Sequence, residues 1–411
     1  MAARWKQGYE PKVILKELEQ SLTKRDDGQV SFQGFAFTPC SAVITTMLDL
    51  GKVPDTEAHR TVSKSIFNAA RSGRLSPDSI LSEVDALTRA YFKQPLNKYH
   101  LVTSLSFGWR AKPPSFSLNG AKLRFDAQFR RYAKARQEAI EEIKHSLLAD
   151  LPTDYAPVLV TTEGRTSEEA VERGMAKLDL VRAIWNFWLN SSHGFRMSDG
   201  KRQPVNEIHL GPLHTLHKPD GSSLGNEWWY EPDYTGSVRS FNSPDKLPRL
   251  FKFQRKVSRL LRGHSYRELL ESNLIRYSRA LDLRDWESSY LRLWAVLEQL
   301  TNTGTEGYGV TVRRASALYK SSDVARQELL HLRERRNRSV HEGTEHRDLE
   351  TLMYQLKGFV EDLLWFHMNG GKRFSNIQET TLFLDLPTTS TELSKRFKTI
   401  KYALRFRQEP V

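Results

Sequence analysis

From Asp245 to Met368, apolar side chains recur three and four positions apart almost without a break. That is the period of helices that each bury one face. A stretch of this kind has few ways to fold. Its apolar stripes must cover one another, and short connections make neighbouring helices antiparallel, so a helical bundle is expected. The spacing predicts helices over 247–261, 266–281, 285–301, 312–319, 323–342 and 349–368. In the third, Tyr290, Leu293, Trp294, Leu297 and Leu300 share a face. Gly343 is placed to end the fifth helix, and 303–309 reads as a loop.

The chain before this stretch is mixed. Residues 9–22, 56–70, 76–92 and 125–148 have helical spacing. Residues 99–109 alternate and carry β-branched and aromatic side chains, the mark of a strand. A short strand is expected at 156–161. Thr166 with Glu169 has the form of a capping box, and the helix behind it aligns Val171, Met175, Leu178, Val181, Trp185 and Trp188. A hairpin is expected from 208–217 and 227–230 around a turn at 218–221. The expected organisation is a mixed α/β region at 1–150, a small α+β unit at 151–244, a helical bundle at 245–372 and a polar tail at 373–411. A strand is expected in that tail at 380–386. The fold class is thus an α+β N-terminal region followed by an all-α bundle.

Composition narrows the function. The 411 residues suffice for two to three domains. Lys and Arg exceed Asp and Glu by 62 − 49 = 13, which favours a polyanionic partner, most simply nucleic acid, with solubility as the plainer alternative. The single cysteine, Cys40, excludes an intramolecular disulfide and any multi-cysteine metal site. A reducing, cytoplasmic setting is expected from it. The first residues lack an apolar core, so no signal peptide is expected, and no uncharged apolar run is long enough to cross a bilayer, so neither is a membrane partner.

The densest polar signal is Arg333-Glu334-Arg335-Arg336-Asn337-Arg338-Ser339-Val340-His341. Arg333, Arg335, Arg336 and Arg338 make a cationic patch able to bind RNA phosphates through forked donors. His341 is the natural proton-transfer group. A guanidinium on a phosphate beside an imidazole is the minimum set for cutting RNA without a metal or cofactor, and none is expected here. On an ideal helix Arg336 and His341 stand roughly 140° apart, whereas Asn337 and His341 share a side. One helix therefore does not easily focus both groups on one phosphate. A two-fold pairing of chains would bring copies together, so a homodimer is expected. A solvated basic helix face is the plainer reading of the same residues.

The run Arg336-Asn337-Arg338-Ser339-Val340-His341 resembles the R-x4-6-H signature of HEPN ribonucleases. The helix around Tyr290, Leu293, Trp294, Leu297 and Glu298 looks like the aromatic–x–x–Leu–Glu helix of the ApeA-like branch. The order of helices, Gly-containing loop, Arg–His helix and long closing helix also agrees. The resemblance covers about residues 246–370 and implies a HEPN-type bundle that dimerises around two Arg–His motifs. It implies endoribonuclease activity without a metal, in antiviral defence against phage. Arg336 would polarise the phosphate, His341 would be the acid and base, and Asn337 would orient the substrate or the His. Glu298 would occupy the family's acidic position, where it could hold a motif arginine. A regulatory or phage-derived trigger, a protein or a nucleic acid, would be a further partner, and the N-terminal region would sense or position something. Two alternatives stand beside this: a non-catalytic HEPN module binding nucleic acid, nucleotide or protein, and the toxin of a toxin–antitoxin pair.

Other candidates weigh less. His209, His214 and His217 beside Glu207 fit no zinc spacing. Gly304, Gly307 and Gly309 lack the lysine of a phosphate loop. Trp228, Trp229, Tyr230, Trp185 and Trp188 could stack bases but suit a core. Cys40 has no evident partner as a nucleophile. Asp282, Asp285 and Glu287 read as acids at a helix start.

Overall fold

The computed structural model describes the chain apart from residues 1, 25–28, 34–36, 109–110, 119, 126–128, 144–150, 191–196, 199–200, 232–233, 235, 237, 239, 305–306, 343–348, 371–372 and 408–411. The side chains of 121, 143, 197–198, 201–202, 223, 225–227, 308 and 339–342 also lie outside the description. Two compact units emerge. One comprises Met1–Leu101, Val160–Met175 and Leu216–Glu227, the other Val102–Leu159, Ala176–Thr215 and Trp228–Val411.

The first unit is built on helices α1 (Pro11–Gln20), α2 (Phe37–Met47), α3 (Asp55–Arg71) and α4 (Pro77–Lys93). Four short strands, β1 (Arg4–Trp5), β2 (Leu22–Lys24), β3 (Val30–Phe32) and β4 (Leu48–Asp49), pair antiparallel as β1 with β4 and β2 with β3. Ser76 and Ser79 cap α4 reciprocally, each hydroxyl accepting from the other's backbone N–H, ahead of Pro77. Leu18, Ile44, Val62, Ile66, Ile80 and Val84 meet in one core. Cys40 is buried there, and burial, with Glu17, pushes its thiol pKa up. Such a thiol is a poor nucleophile.

Strands β5 (Asn97–Leu105), β6 (Phe116–Leu118), β7 (Ala121–Arg124) and β8 (Ala156–Gly164) belong to a six-stranded sheet. A ribbon of β9 (Met197–Ser198) and β10 (Lys201–Arg202) stands apart from it, and β11 (Leu213–His217) and β12 (Ser223–Tyr230) complete it. The order is β12-β11-β5-β8-β7-β6. Three strands thus come from before residue 150 and three from after. The expected hairpin is present as β11 and β12, closed by Gly221 N–H donating to the Lys218 carbonyl at 2.9 Å.

Helix α5 (Arg130–Ile143) follows β7, and α6 (Ser167–Leu189) follows β8. At the start of α6, Thr166 Oγ1 accepts from Glu169 N–H at 3.2 Å. The Glu169 carboxylate accepts from Arg165 N–H at 2.6 Å. It reaches one residue further back than a capping box does. The expected single apolar stripe gives way, from Leu178 to Phe187, to burial on every side.

The helical stretch folds as predicted in kind. Its helices are α7 (Leu247–Arg262), α8 (Arg267–Leu281), α9 (Trp286–Leu300), α10 (Tyr308–Ser316), α11 (Ser322–Glu342) and α12 (Leu349–Gly370). The expected position of Gly343 falls outside the described residues. Asp285 caps α9, accepting from Ser288 N–H at 2.8 Å. Helix α12 lies against α7, α8, α9 and α11. The same core takes in Leu180, Ala183, Ile184 and Phe187 of α6.

The expected strand at 380–386 is instead helix α13 (Ile377–Leu384), and α14 (Ser390–Phe406) follows where a polar tail was expected. The run of Thr and aromatic residues looks strand-like, but local bonds decide otherwise. Asn376 caps the helix through Glu379 N–H at 2.9 Å, and the hydroxyls of Thr380 and Thr381 bond back to the carbonyls of Asn376 and Gln378.

His367 of α12 is fully buried. Its Nε2–H donates to the Leu300 carbonyl at 2.8 Å, and Tyr266 donates its hydroxyl to Nδ1 at 2.9 Å. Burial pushes the imidazole pKa down to about 4. The unfolded chain takes up that proton near pH 6.5 and the folded chain only near 4. This contribution is therefore complete above pH 6.5 and shrinks as pH falls through that window. Between pH 7 and pH 5 the loss from this one group is about 2 kcal/mol. Urea unfolding across that range checks it: in His367→Asn the slope with pH is expected to be shallower by that amount, and an unchanged slope contradicts the assignment.

Candidate functional site

Helix α11 runs unbroken through Glu342, so the whole Arg–Asn–His run lies on its last three turns. Ala325, Leu329 and Leu332 bury its inner side in the bundle core. Tyr290 of α9 fastens it, donating its hydroxyl to the Leu332 carbonyl at 2.5 Å. With the inner side so fixed, Arg333, Arg335, Arg336 and Asn337 are half-buried and Arg338 is exposed. Burial pushes the Tyr290 hydroxyl pKa well up, against the opposing pull of Arg335 and Arg336.

Arg336 Nη1 donates to Asn337 Oδ1 at 3.5 Å, the long end of the hydrogen-bond range. The contact still has a directional meaning. Asn337 and His341 are one helical turn apart on one side of α11, whereas Arg336 projects from another. Its guanidinium is turned toward the Asn337 side. The side chain of His341 lies outside the described residues; its backbone is in the last turn of α11. Arg338 pairs with Glu334 at 3.3 Å, an exposed one-turn pair that is energetically minor.

Glu298 lies on the row Tyr290–Trp294–Glu298 of α9, and its carboxylate accepts from Trp294 Nε1 at 2.7 Å. The bond described for it thus goes to an indole one turn back rather than to an arginine of α11.

A second polar centre lies within the larger unit. Arg182, wholly buried on α6, donates to Asp179 at 3.1 Å and Asp282 at 2.7 Å. Arg279 of α8 bonds the other Asp179 oxygen at 2.7 Å and pairs with Glu231 at 2.7 Å. Asp282 also accepts from Asn206, which binds Asn190, whose carbonyl accepts from buried Lys357 of α12. Asp282 is thus not a helix-start acid. It ends α8 and is held inward by Arg182, while Asp285 alone takes the capping role. Burial alone would raise the Glu231 pKa, but His214 and Arg279 hold it at about 2.

The histidines weighed as metal ligands belong to this centre in part. His214 shares a hydrogen bond with Thr103 at 2.7 Å, and burial lowers its pKa. His209 meets the Asn206 carbonyl at 2.6 Å. Among the described residues no group of three or more His, Cys, Asp or Glu side chains is placed to hold a metal ion. Arg136 of α5 bonds the carbonyls of Val102 and Leu213 nearby, and burial lowers its pKa to about 10. Trp185 is core, donating to Gln254 at 2.6 Å. Trp228, Trp229 and Tyr230 are half-buried in or near β12.

A narrow cleft opens on the centre between Tyr155, His209, Glu231, Arg279, Asp282 and Arg284. Asp179, Asp282 and Glu231 are each committed to a guanidinium. Groups compensated in this way hold elements together; they are poorly suited to moving a proton. The sequence signal that could have revealed them is two charges, Asp179 and Arg182, inside an otherwise apolar helical run.

Comparison with protein-family models, with curated proteins and with solved structures finds no match to this chain.

Removing one partner of a buried charge pair leaves the other charge unpaired. Arg182→Met, which nearly keeps the volume, is expected to cost about 3–5 kcal/mol in urea unfolding. A cost within about 0.5 kcal/mol, ordinary for a surface site, would show that these charges do not hold the unit together.

Proposed function

We propose that this chain is a metal-independent endoribonuclease of the HEPN type, acting as a homodimer in antiviral defence against phage. The observation that carries the reading is the Arg336 guanidinium turned to the Asn337 side of α11, the side on which helical spacing places position 341. The bracing of α11 by Tyr290 and its buried leucines supports it, because a phosphate clamp needs a rigid base.

In the proposed reaction, His341 takes the proton of a ribose 2′-hydroxyl. The freed oxygen attacks the adjacent phosphorus, and the bond from phosphorus to the 5′-oxygen breaks. The imidazole of the second copy returns a proton to that leaving oxygen. The products are a 2′,3′-cyclic phosphate and a 5′-hydroxyl end. Arg336 stabilises charge on the phosphoryl oxygens in the transition state. Asn337 orients the substrate, and Arg333, Arg335 and Arg338 hold the flanking phosphates. Glu298 holds the Trp294 indole one turn back on α9 and is a positioning residue.

His341→Ala and Arg336→Ala are each expected to lower cleavage of a labelled RNA at least a hundred-fold, with thermal stability and dimer mass unchanged. Cleavage by the unaltered protein persists in EDTA and leaves cyclic phosphate ends. His341→Ala cutting at the unaltered rate, or a strict need for Mg²⁺, refutes the mechanism.

A further inference from the structure

Helix α14 has no buried residue along its 17 positions. It carries Lys395, Arg396, Lys398, Lys401 and Arg405 against one acid, Glu392. Tyr402 and Phe406 are 70% and 77% exposed, and their rings stack with centroids 6.3 Å apart and planes 22° from parallel. On an ideal helix Lys395, Lys398 and Arg405 fall within roughly 100° of that pair. The result is a stacked aromatic surface rimmed by cations and open to solvent.

We propose that this face of α14 binds single-stranded RNA, bases stacking on Tyr402 and Phe406 while Lys395, Lys398 and Arg405 meet the phosphates. The choice of ligand rests on the ribonuclease reading; the surface itself does not. Exposed aromatic rings among Lys and Arg are what an unpaired strand requires, since every base has a face to stack and every linkage a charge to neutralise. A duplex hides its base faces and would gain only the charge contacts.

Two other occupants fit less well. An interfacial membrane helix needs its apolar side chains on one side. Here Leu393, Phe397, Ile400 and Leu404 fall within roughly 60° of one another, while Tyr402 and Phe406 point away by at least about 120°. A second α14 seated on the side of Leu393, Phe397, Ile400 and Leu404 would leave Tyr402, Phe406, Lys395 and Lys398 facing outward, so it does not account for the aromatic pair.

The foot of the helix supports a route to the proposed active end. Lys395 and Arg396 line a cleft together with Arg313 and Arg326 and three acids, Asp323, Asp385 and Glu392, and Arg313 is paired there with Asp385 at 2.8 Å. Arg326 is on α11, and from there the helix rises about 18 Å to Arg338. A strand held on α14 could then run along α11, past Glu328, to the arginines at 333–338.

The test measures binding apart from cutting. Full-length protein carrying His341→Ala, which blocks cleavage, is titrated against a fluorescent uridine-rich oligonucleotide and followed by anisotropy. Adding Tyr402→Ala with Phe406→Ala is expected to weaken binding about ten-fold or more. Adding Lys395→Glu, Lys398→Glu and Arg405→Glu instead should weaken it at least as much and flatten its salt dependence. All these side chains are solvent-facing, so the thermal midpoint should not move. Unchanged RNA affinity in both sets overturns the proposal. So does unchanged RNA affinity with loss of binding to phosphatidylserine vesicles, which would assign the helix to a membrane. The ribonuclease reading fails separately: an unaltered protein that binds RNA through α14 but never cuts it sinks that reading and leaves this one standing.

Discussion

The larger unit depends on one arrangement, the guanidinium of Arg182 buried between the carboxylates of Asp179 and Asp282. A buried charge is tolerated only when nearly every donor is satisfied. That requirement fixes geometry far along the chain. Arg182 needs Asp282 at the end of α8, Asp179 needs Arg279, and Arg279 needs Glu231 just past β12. Hydrophobic burial alone would let α6 slide or rotate against the bundle at small cost, since apolar contacts have no direction. The charge chain removes that freedom. On the helical side it continues through Asn206 and Asn190 to Lys357 and Glu361 of α12, where the Tyr277 hydroxyl closes it.

This rigidity matters for α11. A phosphate clamp works when its guanidiniums are pre-placed and pay little ordering entropy on binding. Helix α11 rests on α9 and α12, and α12 is tied through Lys357 to the buried charges. The proposed catalytic helix thus sits on elements whose positions are set by directional bonds. The groups expected to meet substrate lie at its far end, half-exposed, where side chains can move while the backbone does not.

Much of the bundle was legible because its information is local. A three-to-four period over 245–368 gives each helix and its buried face without knowledge of its neighbours, and five of the six predicted helices start within about a turn of their observed positions. Asp285 was legible as an acid at the start of α9, though not as its cap. The sheet was harder, because β5 pairs with strands that come more than fifty residues later. Helices α2 and α13 were missed for one reason: Val43, Ile44, Thr45 and Thr46, like Thr380 and Thr381, weigh toward strand by propensity. Hydroxyl bonds to preceding carbonyls, such as Thr45 to Ser41 at 2.8 Å, let them sit in a helix. The ion chain was invisible for a different reason. Arg182 and Asp282 lie 100 positions apart, and no local pattern says which distant acid a buried arginine will find. The candidate site was legible in its residue types and in their helix. The turn of Arg336 toward Asn337, and the tie of Glu298 to Trp294, became visible only in three dimensions.

The placement of the arginine cluster has a further physical meaning. Anions usually bind at helix N-termini, where backbone N–H groups and the positive end of the dipole help hold them. Arg333, Arg335, Arg336 and Arg338 lie far from the N-terminus of α11, so no backbone N–H of its first turn helps them hold a phosphate. All affinity for a phosphodiester at these positions must come from side chains. Such a site is weak when single. It gains strength when a second copy doubles the cations around one linkage, because the two sets then neutralise a charge that neither backbone can hold. The proposed pairing of two chains would answer both the placement of the arginines and the angle between residues 336 and 341.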